Sequence, residues 1–138
     1  MKKHSAILML EDDRVDAMTI ERALKEELNL TNQITWVQNG EEGLAFLRET
    51  APKKPGLILL DLNMPKMNGI DFLKIVRQDP GFRTIPVVVL TTSDEERDRI
   101  ESFNLGVAGY MLKPVDYVQF VEVVKTIGLY WTLSEVPE

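Results

Sequence analysis

Short runs of consecutive apolar residues alternate with longer stretches in which apolar positions recur every three or four residues. Residues 5–10 (Ser-Ala-Ile-Leu-Met-Leu) read as a buried strand. Residues 14–28 read as a helix with Ala17, Ile20, Leu24 and Leu28 on one side. A turn over 29–32 leads to a short strand Ile34–Val37, and Asn39-Gly40 opens a helix in which Glu42 is placed to complete a capping box and Leu44 and Leu47 face inward. The loop 51–56, with two prolines and a glycine, precedes a strand over 57–60. Asn68-Gly69 reads as a turn before a helix over 70–78, stopped by Asp79-Pro80-Gly81. The β-branched run 86–90 predicts a fourth strand. Ser93 with Glu96 caps a helix over 94–104, a turn over 106–109 leads to a strand over 108–112, and Asp116 with Gln119 starts a last helix that reaches Trp131.

Continuously apolar strands that alternate with helices imply a parallel sheet covered on both faces, an α/β doubly wound fold. No internal repeat or long linker divides the chain, so 1–138 reads as one domain, with a core over 5–131 and a loose tail over 132–138. Four of the strands run into polar groups: Glu11-Asp12-Asp13, Asp61, Thr91-Thr92-Ser93 and Lys113. In a parallel sheet these ends face one crevice.

Composition removes several chemistries. The 138 residues contain no cysteine and a single histidine, His4, which excludes thiolate metal sites and makes a zinc site or a Ser-His-Asp triad a poor expectation. A net charge of −6 without a basic patch argues against direct nucleic-acid binding. No apolar run approaches a membrane span, and no signal peptide is evident, so a cytoplasmic protein is expected.

The acids at the strand ends repel one another unless a cation lies between them, and oxygen-only ligands favour Mg²⁺ or Mn²⁺. Taken alone, Glu11-Asp12-Asp13 also reads as a helix N-cap, and Asp61 as a turn-forming residue. Taken together, the strand ends set a lysine and a hydroxyl over a carboxylate. That set fits phosphoryl transfer to Asp61, with the cation and Lys113 offsetting charge on the phosphoryl oxygens and Thr91 donating a hydrogen bond.

The sequence resembles a response-regulator receiver domain of two-component signalling over residues 5–131. The resemblance rests on Ile7-Leu8-Met9-Leu10-Glu11-Asp12-Asp13, Leu59-Leu60-Asp61-Leu62-Asn63-Met64-Pro65, Met67-Asn68-Gly69, Pro86-Val87-Val88-Val89-Leu90-Thr91-Thr92-Ser93 and Gly109-Tyr110-Met111-Leu112-Lys113-Pro114. It implies a five-stranded, flavodoxin-like sheet of order 2-1-3-4-5. It implies that Asp61 is the phospho-acceptor, charged from a sensor histidine kinase. Asp12, Asp61 and the backbone carbonyl of Asn63 would hold Mg²⁺ (or Mn²⁺), with Glu11 acting through water. Thr91 and Lys113 would contact the phosphoryl group, Tyr110 would turn inward when Thr91 moves, and Lys113-Pro114 would be a cis peptide. Apart from its own phosphorylation and slow autodephosphorylation, such a domain is not an enzyme.

With no output domain after residue 131, a single-domain regulator is expected. Tyr130-Trp131 and the tail are similar to regulators that pair with phytochrome-type sensor kinases. The wide apolar arc of the last helix marks the face over 94–131 as a surface for a homodimer or another partner. Two alternatives compete. A small Asp-dependent phosphatase of the haloacid-dehalogenase type would need a second aspartate where Asn63 stands. A non-phosphorylated binding module would have no need of Asp12, Asp61 and Lys113, all of which are present.

Overall fold

A computed structural model of the chain describes residues 6–27, 32–51, 53–62, 64–91 and 94–112, together with Val118 and Glu122. Strands are β1 (Ile7–Leu10), β2 (Ile34–Val37), β3 (Leu57–Asp61), β4 (Val87–Thr91) and β5 (Gly109–Leu112). Helices are α1 (Arg14–Arg22), α2 (Gly40–Thr50), α3 (Gly69–Gln78) and α4 (Asp94–Ser102). The five strands form one parallel sheet of order β2-β1-β3-β4-β5, the order that the resemblance implies.

Alternation along the strands divides the core into two layers. Leu8, Leu10, Ile58, Leu60, Val87 and Val89 face one side, where Leu44 and Leu47 of α2, Phe72, Leu73 and Val76 of α3 and Ile100 of α4 pack. Ile7, Met9, Leu57, Leu59, Val88 and Leu90 face the other, against Ala17 and Ile20 of α1 and the following Ala23 and Leu24. β1 and β3 are buried throughout. Fully buried parallel strands read as unbroken apolar runs because both faces are covered.

Element boundaries depart from the sequence reading in ways that local chemistry explains. The helix expected over 14–28 is α-helical only to Arg22 and continues as a π-helical turn, Ala23–Glu27. Ala23 and Leu24 are adjacent and both buried in that wider turn. α4 ends at Ser102, not 104, because Asn104 adopts a left-handed φ of 53°, a conformation asparagine tolerates and a helix cannot continue through. Asn68-Gly69 is a helix start, not a free turn: Asn68 accepts the Asp71 N–H at 3.0 Å and Gly69 is the first residue of α3. At α2, Asn39 accepts the Glu42 N–H at 2.9 Å, but Glu42 Oε1 accepts from Gln38 N–H at 3.0 Å, one residue before the cap.

Sequence reading also passed over Arg77. Its guanidinium donates to the carbonyls of Leu105 (2.7 Å), Arg83 (3.1 Å), Ile85 (3.1 Å) and Gly106 (3.3 Å). Burial pushes its pKa below the usual arginine value, yet arginine stays charged in proteins. Three residues earlier, Lys74 Nζ lies 3.7 Å from the centre of the Phe103 ring. α3 thus holds the connection from α4 to β5 from one helical face. The turn over 29–32, the Ser93–Glu96 cap, the cis Lys113-Pro114 bond, the last helix and the tail lie outside the described residues, apart from part of the first and helical, exposed Val118 and Glu122. Among the described residues no helix is long and apolar enough to cross a membrane.

Candidate functional site

The strand order reverses direction between β1 and β3, and such a switch point opens a crevice at the carboxyl ends of the strands. β1 runs out into Glu11 and Asp12, while its neighbour β3, in register Leu10 with Leu60, ends on Asp61. One carboxylate oxygen from each of Glu11, Asp12 and Asp61 lies within 4.8 Å of the others. Glu11 is 0% and Asp61 2% exposed, whereas Asp12 is exposed. Glu11 Oε2 accepts the Asp13 N–H at 3.2 Å, and Oε1 is buried and receives no hydrogen bond from the described residues.

The three consecutive acids divide their work. Asp13 is the N-cap of α1, its Oδ1 accepting from Val15 N–H at 2.8 Å and Asp16 N–H at 3.1 Å. Glu11 and Asp12 turn to Asp61 instead. The cap reading of this run therefore holds for Asp13, while Glu11 and Asp12 join Asp61 in an acidic cluster that could hold a cation. Two ionised carboxylates at such a separation repel by roughly 3–4 kcal/mol at an effective dielectric of about 20. The donors are all oxygens, two are withdrawn from water and one opens to it. That chemistry fits a hard divalent cation that keeps some of its waters.

β3, which ends on Asp61, is braced by α3. A Cβ on Gly69 would lie 2.7 Å from the Asp61 carbonyl oxygen and 2.8 Å from Leu62 Cα, and Gly69 N–H donates to Leu62 O at 3.2 Å. Only a residue without a side chain allows that approach. Gly69→Ala is expected to destabilise the fold by about 1–3 kcal/mol, as overpacking against backbone does, and to slow phosphoryl labelling by moving Asp61. Urea unfolding and intact-mass kinetics measure the two effects. A second feature missed from sequence is the Trp36 indole N–H, which donates to the Glu11 carbonyl at 2.6 Å.

The remaining expected site residues are placed only in part. Thr91 ends β4 in register with Leu112, one step beyond the pair Asp61–Leu90, and its side chain is not among those described. Lys113, which follows Leu112 in the chain, and Asn63 lie outside the described residues. Tyr110 on β5 pairs with Val89 and packs, partly buried, against the α2–α3 core layer.

Comparison with known proteins agrees with this arrangement. The response regulator receiver domain family model matches residues 7–125. Response regulator Rcp1 of Synechocystis sp. is 36% identical over 130 residues, covering 91% of this chain and 87% of its own. A probable methanogenesis regulatory protein, FilR2 of Methanothrix harundinacea, is 37% identical over 128 residues, covering 91% and 82%. Among solved structures, the phosphorylated cyanobacterial phytochrome response regulator RcpA superimposes with a TM-score of 0.86 at 36% identity, covering 96% of this chain and 97% of that one. The Mn²⁺-bound form of Rcp1 gives a TM-score of 0.84 at 33% identity, covering 97% and 99%. Receiver domains are signalling modules rather than metabolic enzymes, and they typically work with sensor histidine kinases. With its sheet order, its acidic strand ends and its family match in agreement, the chain belongs to the response regulator receiver domain family, and within it is similar to phytochrome response regulators.

Proposed function

We propose that this domain takes a phosphoryl group from a phosphohistidine of a sensor histidine kinase onto Asp61 and thereby switches a protein-interaction face. The carrying observation is the convergence of Glu11, Asp12 and Asp61, within 4.8 Å of one another, at the switch point of the sheet. An Asp61 carboxylate oxygen attacks phosphorus, the P–N bond breaks, and the imidazole leaves with the bond's electron pair and takes up a proton. Mg²⁺, or Mn²⁺, bound by Asp12, Asp61 and the Asn63 carbonyl with Glu11 through water, would supply charge to offset the phosphoryl oxygens. Lys113 adds a second positive charge, and the Thr91 hydroxyl donates to a phosphoryl oxygen. Hydrolysis of the acyl phosphate by the domain itself is slow and resets it.

The Mn²⁺-bound state of Rcp1 and the phosphorylated state of RcpA support this reading by likeness. So does the likeness to a stretch of the sensor histidine kinase CheAY of Helicobacter pylori, 33% identical over 119 residues that make up 14% of that protein. On this reading the kinase is of phytochrome type and the domain works in the cytoplasm. Phosphorylation draws Thr91 toward Asp61, Tyr110 follows inward, and the face over 94–131 favours one of two association states, a homodimer or a complex with another protein. Incubation with acetyl phosphate, with Mg²⁺ or with EDTA, tests the chemistry. One added phosphoryl mass is expected with Mg²⁺ only. Sedimentation of the same samples reads the association state, and a wild type monomeric in both removes the homodimer.

A further inference from the structure

We infer that Trp36 is a positioning residue for the acidic cluster: its indole N–H holds the Glu11 carbonyl, and so sets where Glu11 and Asp12 present their carboxylates to a divalent cation. The inference rests on the proposed metal reading of that cluster. It begins with a backbone group that the sheet leaves over. Glu11 lies one residue past the end of β1, and its N–H donates to Val37 O at 3.0 Å. A residue in a ladder turns its N–H and its C=O toward the same neighbour, so the Glu11 carbonyl also faces β2. There β2 has already ended, at Val37. The Gln38 N–H is taken by Glu42 Oε1 at 3.0 Å, and at Asn39 the chain turns into α2.

Glu11 is 0% exposed, so water does not replace the lost ladder partner. The indole of Trp36 does, at 2.6 Å. Its ring is partly buried against the α1-side core layer, which fixes where the donor stands. The indole N–H is a donor only, so the bond has one possible direction. Val37 and Trp36 together clamp both polar backbone groups of Glu11. This is the residue at which the chain leaves the extended strand for the Asp13 cap, and Asp12 follows it directly. A freed Glu11 carbonyl would let that peptide rotate, and the Glu11 and Asp12 oxygens would no longer meet Asp61 in one geometry.

The chain has two tryptophans, so Trp131→Phe leaves Trp36 as the sole tryptophan, excited selectively at the red edge of the absorption band. In that protein, Mg²⁺ titration is expected to change Trp36 emission with the same midpoint as calorimetry, and Mn²⁺ to quench it. Trp36→Phe keeps an aromatic ring and deletes the donor. Replacing Trp36 by benzothienylalanine keeps the ring shape and puts sulfur where the N–H was. Both are expected to weaken Mg²⁺ binding about fivefold to tenfold with an unchanged far-UV spectrum, a loss that a purely packing role would not produce in the isosteric analogue. If the benzothienyl protein binds Mg²⁺ within twofold of its parent, the inference is overturned. So it is if Trp36 emission stays flat across a calorimetrically saturating titration, a result that does not require any Trp36 variant to fold. A parent protein that takes up neither Mg²⁺ nor Mn²⁺ overturns the metal reading itself, and this inference with it.

Discussion

Asp61→Asn is expected to reduce phosphoryl labelling by acetyl phosphate more than about a hundredfold, to the background of the assay. The amide matches the carboxylate in size but presents no anionic oxygen to attack phosphorus. Loss of fold does not explain such a result, because the substitution removes one of three neighbouring charges from a residue only 2% exposed. In EDTA the variant is expected to unfold cooperatively, as wild type does. Intact mass reads the first effect and thermal unfolding the second. Labelling that survives in the asparagine variant would place the acceptor elsewhere.

Asp12→Asn is expected to weaken Mg²⁺ binding at least tenfold, about 1.4 kcal/mol. The same change relieves repulsion in the metal-free protein, so the variant's lead in stability should narrow when metal is added. In EDTA the variant is expected to melt above wild type. With Mg²⁺ at ten times the wild-type dissociation constant, binding to the folded state alone stabilises wild type by about 1.4 kcal/mol and the variant by much less. Calorimetric titration and melting curves with and without metal test the narrowing. Equal Mg²⁺ affinity in the two proteins would remove Asp12 from the ligand set.

The fold was legible because its two signals are of opposite kinds. Unbroken runs such as Val87 to Leu90 are what a strand covered on both faces requires, and the three-four spacing of Ala17, Ile20 and Leu24 suits a helix covered on one. The acidic cluster was legible for a related reason: a carboxylate ending an apolar strand lies at the edge where a parallel sheet collects its loops. Contacts between side chain and distant backbone carried no such signal. Arg77 looks like an ordinary polar residue at a helix end until four carbonyls from two loops converge on it. Trp36 alternates as a strand residue should, and only the early end of β2 leaves the Glu11 carbonyl for it to serve. Gly69 sits in a dipeptide that usually marks a turn, and its role depends on how closely α3 approaches β3. Each is set by tertiary geometry, which local pattern does not encode.

The central claim is that Asp61 forms an acyl phosphate. Borohydride reduces an aspartyl phosphate to homoserine, so treating the acetyl phosphate–Mg²⁺ reaction with borohydride and sequencing the peptides by mass spectrometry locates the phosphoryl group directly. Homoserine at position 61, absent when EDTA replaces Mg²⁺, is the predicted result; homoserine at Asp12 or any other acid, or at none while the intact protein carries the phosphoryl mass, would contradict it.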